Sequence, residues 1–418
     1  MNRELLRSPD RARLRPYAFV VDTFVRPDPP SARQAVRPGR RLGWLPGSAR
    51  PRPIRWSGDV LVVGEASGAS ELDFVERLVR GLAAAGRSVL YLATGPAEAA
   101  RLRGLPRVTV HEVTPGSPRV SGEDWEALAP VLRCAGASLG RDAERVMGEV
   151  AAAREVWRSL SSSLDARTLI ARSNYRPLSA VALAEAACPT VCFQHSVVTA
   201  PASFVPIPSR RFVTFGETSR ALLERLDREM AASVGAPRIC QDLVASGSLT
   251  DPVLSSAGSP SGPVLIIDSG EGFAPRFLGV AEAYASLEAT ARRLAAAGVP
   301  VMVRAHPRGG ARRWKGLPVS TGRALADDLR GASAVIGLFS TVLPVAAASG
   351  LPTLFLWKPG WFATPDLAPF APHRVAPEDV VERLRERRPA RAVASAYVAG
   401  LRRCEFTPED LEVLLTAT

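Results

Sequence analysis

Twice along this chain, short apolar runs that end in a glycine or a polar residue alternate with stretches whose apolar residues recur at helical spacing. Residues 59–64, 87–93 and 108–113 are runs of the first kind, and 71–85 carries a helical pattern between the first two. Further strands are expected at 168–171, 190–194 and 212–215, with a helix over 178–187 and helical spacing through 125–164. Near-continuous apolar strands joined by helices belong in a parallel sheet buried on both faces, because parallel neighbours need a long crossover connection. The alternation restarts at 264–267 and continues through helix 276–297, strand 299–304, helix 324–330, strand 334–337, helix 342–349 and strand 353–357. Helices over 379–387 and 407–415 are expected to close the second block. Between the blocks, 243–254 is turn-rich and 255–263 is a Ser/Gly/Pro linker. The pattern therefore predicts an α/β protein with an Arg/Pro-rich arm over 1–57, one domain over 58–254 and a second over 255–418. A length of 418 residues, beyond what one core organises, agrees with two domains and a cleft between them.

The formal charge of +12 rests almost entirely on arginine, with Lys315 and Lys358 the only lysines. No aromatic and basic module accompanies it, so no nucleic-acid partner is expected, while attraction to anionic substrates or to a membrane surface stays open. The five cysteines are scattered without C-x-x-C spacing, which points away from a disulfide framework and a zinc site and towards a reducing cytoplasm. The stretch 332–357 holds no charged residue and is long enough to span a bilayer. Gly337, Pro344, Gly350 and Pro352 divide it into strand, turn, short helix and strand, so a buried sheet is expected there.

Ligands of open parallel sheets bind beyond the carboxyl ends of the strands. That rule nominates Asp268, Ser269, Gly270, Glu271 and Gly272 after one strand, and Arg304, His306 and Arg308 after the next. It also nominates Ser340 and Thr341, which end a strand and open a helix, and Gln194 and His195 in the first domain. Ser340 and Thr341 combine hydroxyls with free backbone N–H groups, a phosphate site or a plain N-cap. The loop at 268–272 lacks the third glycine of a dinucleotide fingerprint, since Pro275 stands there. No Gly-Lys pair occurs, which excludes a Walker loop. His195 and His306 end strands in opposite domains, an arrangement suited to a base and a leaving-group stabiliser facing across a cleft.

Several short motifs resemble the bacterial surface-polysaccharide glycosyltransferases of GT-B architecture, a group that includes capsule-synthesis enzymes, sialyltransferase-like enzymes and glycerophosphate transferases. Val303-Arg304-Ala305-His306-Pro307 is similar to their HP motif, and Phe339-Ser340-Thr341 to their Ser/Thr motif. Phe193-Gln194-His195 resembles the QHG strand end, and Ala245-Ser246-Gly247-Ser248 with Asp251 resembles the link between domains. The likeness covers roughly 165–380 and departs from the group twice: Val345 stands where many members have a ribose-binding glutamate, and Ser196 replaces a glycine.

The resemblance implies two Rossmann-like domains facing each other across a cleft, with a nucleotide-activated donor, CMP- or CDP-linked, on the second. Its phosphates would be held by Ser340, Thr341, Arg304 and His306 together with Ser269, Gly270, Glu271 and Gly272, and His195 would be the base from the first domain. The implied reaction is transfer of a sugar or polyol phosphate to a surface glycan or lipid-linked acceptor. No metal and no cofactor are expected, and the implied place is the cytoplasm, at the inner face of the membrane. A nucleotide-sugar epimerase or hydrolase on the same scaffold, and a silent binding protein that keeps the fold, are the alternatives.

Overall fold

The computed structural model describes residues 54–113 except 67, 141–247 except 199–203 and 236, 257–270, 279–306, and 311–386 except 363, with a few isolated positions besides. Residues 1–53 of the arm expected over 1–57, together with Glu271, Gly272, Pro307 and Arg308, lie outside the described residues.

Seven strands form the first sheet: β1 Trp56–Val63, β2 Val89–Ala93, β3 Val108–Glu112, β4 Leu164–Ala171, β5 Thr190–Phe193, β6 Arg211–Thr214 and β7 Asp242–Ala245. Their order is β3-β2-β1-β4-β5-β6-β7, with every pairing parallel. The second sheet holds β8 Val264–Ile267, β9 Val301–Arg304, β10 Ala334–Gly337, β11 Thr353–Leu356 and β12 Arg374–Val375, ordered β12-β11-β10-β8-β9 and again parallel. The apolar stretch tested above for a membrane span is β10, a helix and β11, and among the described residues no helix is long and apolar enough to cross a bilayer.

Side chains alternate across a strand, so β1 feeds two cores at once. Leu61 and Val63 join Leu169, Met147 and Trp157 on one face, while Val60 and Val62 join Phe74, Leu78 and Leu82 on the other. Helix α1, Ala69–Ala84, supplies Phe74, Val75, Leu78, Val79 and Leu82 from a single stripe. Pro96–Leu102 forms α2, Arg141–Ser161 forms α3, and Pro177–Glu185 forms α4 with Pro177 in the first turn, where a missing N–H costs nothing. Glu217–Val234 forms α5, which stops at Gly235 with φ of 63°. In the second half, α6, Val280–Ala296, buries Val280, Ala283, Tyr284, Leu287, Ala291 and Leu294, a 3.6-residue repeat. Each large side chain fully removed from water there contributes about 1.5–3 kcal/mol. Leu325–Gly331, Val342–Ala348 and Val380–Glu386 form α7, α8 and α9.

Helix α2 and strand β12 were not expected from the sequence, and two further elements depart from it for a reason the structure shows. Residues 242–245 pair with β6 as β7, although the segment from 243 onward reads as turn. Helix α5 was not expected, because two of its buried positions are Ser219 and Asp227. Asp227 accepts the Ile207 N–H at 2.9 Å and pairs with Arg238, partners that no local pattern announces.

The two halves touch through side chains. Val197 and Phe215 of the first half belong to the core that Leu338, Phe339 and Trp361 build in the second. Asp366, with no exposed surface, accepts the Val198 N–H at 2.9 Å and faces the Ser219 hydroxyl at 3.5 Å. Near the C-terminus, Leu411 is buried in the first half's core beside Phe74 and Leu78.

Candidate functional site

Each sheet reverses its strand order once, between β1 and β4 in the first and between β8 and β10 in the second. Crevices open at such reversals because neighbouring connections leave in opposite directions.

At the second reversal the chain leaves β8 through Asp268, which is 3% exposed and spends both carboxylate oxygens internally. Oδ1 accepts the Gly270 N–H at 2.9 Å and Oδ2 accepts the Trp314 indole N–H at 3.0 Å. Ser269 is buried and donates to the Phe339 carbonyl, so the turn is tied to the end of β10 just before Ser340. Gly270 has φ of +87°, and a methyl placed on it would lie 2.9 Å from His306 Nδ1, so the imidazole rests directly on the glycine backbone. Tyr284 of α6 fixes the turn from below by donating to the Gly270 carbonyl at 2.6 Å. The result is a fixed turn flanked by His306 on the β9 side and by Ser340 on the β10 side. Ser340 is half-buried, its Oγ accepting the Val342 N–H at 3.3 Å, and Thr341 beside it is also half-buried.

Arg304 ends β9 with its guanidinium engaged by a neighbouring acid. Its guanidinium pairs with Asp328 and donates to the Arg323 carbonyl at 3.2 Å, and the Asp328 side chain is fully buried. That carboxylate also takes the Ser320 hydroxyl at 2.7 Å. Neutralising a buried acid is therefore the first duty of Arg304.

Beside Ser340 lies a pocket that the sequence did not single out. Phe339, Trp357, Trp361, Phe362 and Arg374 line it, with Arg374 5.1 Å from the Trp357 ring centroid. The Trp357 Nε1 is buried without a hydrogen-bond partner among the described residues. A tryptophan at a strand end followed by Lys358-Pro359-Gly360 was the available signal, obscured by the long apolar run that precedes it.

At the first reversal, Gly64 ends β1 because any Cβ there would fall 1.5 Å from the Tyr91 hydroxyl oxygen. Glu65 follows with φ of 49°, a left-handed conformation that non-glycine residues seldom adopt. Its carboxylate accepts the Leu178 and Ser179 N–H groups at 3.0 and 2.6 Å, filling the N-terminus of α4. Burial pushes its pKa up despite those bonds. Glu71 lies between Arg172 at 3.3 Å and Arg176 at 3.2 Å, all three buried. His195 is held between Tyr175 and Phe204, with ring centroids 4.4 and 4.9 Å away. Burial, and then Arg172, push its pKa down to about 3. Gln194 serves the scaffold: its amide accepts the Phe215 N–H at 2.9 Å and donates to the Ser196 carbonyl at 2.9 Å. Among the described residues no cluster of His, Cys, Asp and Glu is arranged to hold a metal ion.

No protein-family description matches the chain, and no curated protein matches it in sequence. Solved structures do. UGT89C1 of Arabidopsis thaliana, in complex with UDP-L-rhamnose, superposes with a TM-score of 0.51 at 15% identity, covering 86% of this chain and 99% of the plant protein. The glycosyltransferase SnogD of Streptomyces nogalater is 16% identical over 87% of this chain and 100% of its own, with a TM-score of 0.45. The two parallel-sheet α/β halves thus have the GT-B fold.

Proposed function

We propose that this protein is a glycosyltransferase that moves a sugar, or a related polyol phosphate, from a nucleotide-activated donor to a surface glycan or lipid-linked acceptor at the inner face of the membrane. The observation that carries the reading is the Gly270 turn, held rigid between His306 and Ser340 at the second sheet's reversal. A diphosphate needs several converging donors on a backbone it can approach closely, and a glycine turn beside hydroxyls and an imidazole offers them. The donor lies on residues 255–418, with phosphates held by Ser340, Thr341, His306 and the turn from Ser269 through Gly270 to Glu271 and Gly272. Arg304 lends positive charge from its place on Asp328. Residues 58–254 receive the acceptor, with His195 the group that meets it.

The motifs quoted above point to cytidine donors, and UGT89C1 binds UDP-L-rhamnose, so pyrimidine nucleotides form the donor class. Cationic and N–H donors stabilise the departing phosphate, and the reaction proceeds without a metal. The test is a thermal-shift screen against CMP, CDP, UDP, GDP and their sugar conjugates, with and without EDTA, repeated on His306→Ala and Ser340→Ala. One nucleotide should raise the Tm in a chelator-insensitive way, and both substitutions should abolish that rise. No rise with any nucleotide would sink the reading.

A further inference from the structure

His195 lies in the loop that leaves β5, and that loop is fastened on both sides of the histidine. On one side Gln194 donates its backbone N–H to the Val213 carbonyl at 2.8 Å, while its side chain accepts the Phe215 N–H and donates to the Ser196 carbonyl. These contacts all belong to the first half. On the other side the fastening comes from the second half, where Asp366, 168 positions away in sequence, accepts the Val198 N–H.

Both residues in that bond are fully removed from water. A buried backbone N–H is obliged to find an acceptor, and a buried carboxylate is costly unless donors converge on it. Oδ2 of Asp366 takes the Val198 N–H at 2.9 Å and faces the Ser219 hydroxyl at 3.5 Å, and that hydroxyl stands 3.4 Å from the Gln194 amide nitrogen. Asp366 is itself seated in the 3₁₀ helix Pro365–His373. Leu367 of that helix joins the second core, and the Phe370 ring packs 4.8 Å from Phe355 of β11. Val197, beside the bonded amide, belongs to the same core as Phe339, which precedes Ser340. Domains that close on a ligand turn about a few loop or element-terminal residues. Parting Val198 from Asp366 would leave a buried N–H without its acceptor, so this contact is a point to turn about and not one to open.

We propose that Asp366 is a positioning residue for the transfer: from the donor half it holds the loop that carries His195, so the histidine keeps its place relative to the nucleotide while the halves open and close. The proposal rests on the donor reading above and on His195 as the group that meets the acceptor. It also makes the His195 loop responsive to the donor half, because packed side chains run from Ser340 through Phe339 to Val197, and Asp366 ties the loop's end to that same body.

The experiment follows the imidazoles by NMR in the full chain with isotopically labelled ring carbons, which four histidines make tractable. The His195 and His306 signals are assigned by their loss in His195→Asn and His306→Ala. The ligand is whichever of CMP, CDP, UDP and GDP the thermal-shift screen selects, with no sugar attached that could touch His195 itself. In the native protein, saturation should move both signals by more than a linewidth. In Asp366→Ala the His306 signal should still move, and nucleotide affinity should stay within about twofold, because Asp268, Ser269 and Tyr284 hold the phosphate turn separately. The His195 signal should no longer respond. Asp366→Asn keeps an acceptor for the Val198 N–H and should restore the response, a rescue that general loosening of the fold would not give. If Asp366→Ala does not fold, Val197→Ala weakens the same link from the loop's side and should diminish the His195 response while sparing that of His306. A His195 signal that stays still in the native protein while His306 moves, or that responds as fully in these variants as in the native protein, would overturn the proposal. If no nucleotide moves the His306 signal, the donor reading fails first and the positioning role falls with it.

Discussion

Gly270→Ala tests the proposed nucleotide site, and Gly86→Ala is its internal control. Both glycines have left-handed backbone, with φ of +87° and +80°. An L-residue in that region costs about 1–2 kcal/mol, so both variants should lose stability by that amount. They differ in what the new methyl meets. Nothing lies within 4 Å at Gly86, whereas at Gly270 the methyl would stand 2.9 Å from His306 Nδ1 and 3.0 Å from its Cγ. Ordinary contact begins at 3.4 Å, so the imidazole must retreat by at least 0.5 Å, the difference between 3.4 and 2.9 Å. That displacement spoils any hydrogen bond His306 makes to a phosphate. Hydrogen bonds to charged groups contribute about 1.5–3 kcal/mol, which converts to a tenfold to hundredfold loss of affinity. Urea midpoints should fall alike in the two variants, and isothermal titration with the cognate nucleotide should separate them. Equal nucleotide affinity in Gly270→Ala and Gly86→Ala would refute the placement of the phosphates over this turn.

Two further outcomes follow from buried charge. Arg304→Ala strips the buried Asp328 of its main counter-ion and should lower unfolding free energy by about 3 kcal/mol in urea denaturation. A loss under about 1 kcal/mol, beside a tenfold fall in nucleotide affinity, would make Arg304 a ligand group first. His195 has its folded pKa depressed to about 3 from an ordinary 6.5, so the unfolded chain binds the proton more readily between those values. The stabilisation is complete above pH 6.5 and is lost as pH falls towards 3, by up to about 1.4 kcal/mol per unit. His195→Asn should flatten that part of the stability profile, and parallel profiles for the two proteins would contradict the assigned environment.

The layered fold was legible in the chain because parallel strands and their covering helices carry their own hydrophobic periods. The strands at 264–267, 334–337 and 353–357 and the helix at 342–349 were placed to within a few residues, since burial on both faces leaves little choice of residue type. Strand ends were legible for the same reason: apolar runs stop where a crevice begins, which nominated the Gly270 turn, His306, Ser340 and His195. What periodicity could not supply was partnership. Helix α5 and strand β7 are tied in part by Asp227 with Arg238 and by Asp242 with Arg211, pairs separated in sequence and joined only in space. Arg304 reads as a free cation after a strand until Asp328 is seen beneath it. Glu65, Glu71, Arg172 and Arg176 carry no motif at all, yet they set the charge around His195. The sequence by itself determined the layers and their strand ends. The tertiary structure decided which side chains there are already spent on one another, because ion pairing and desolvation depend on distances of a few ångströms between elements that the chain order leaves far apart.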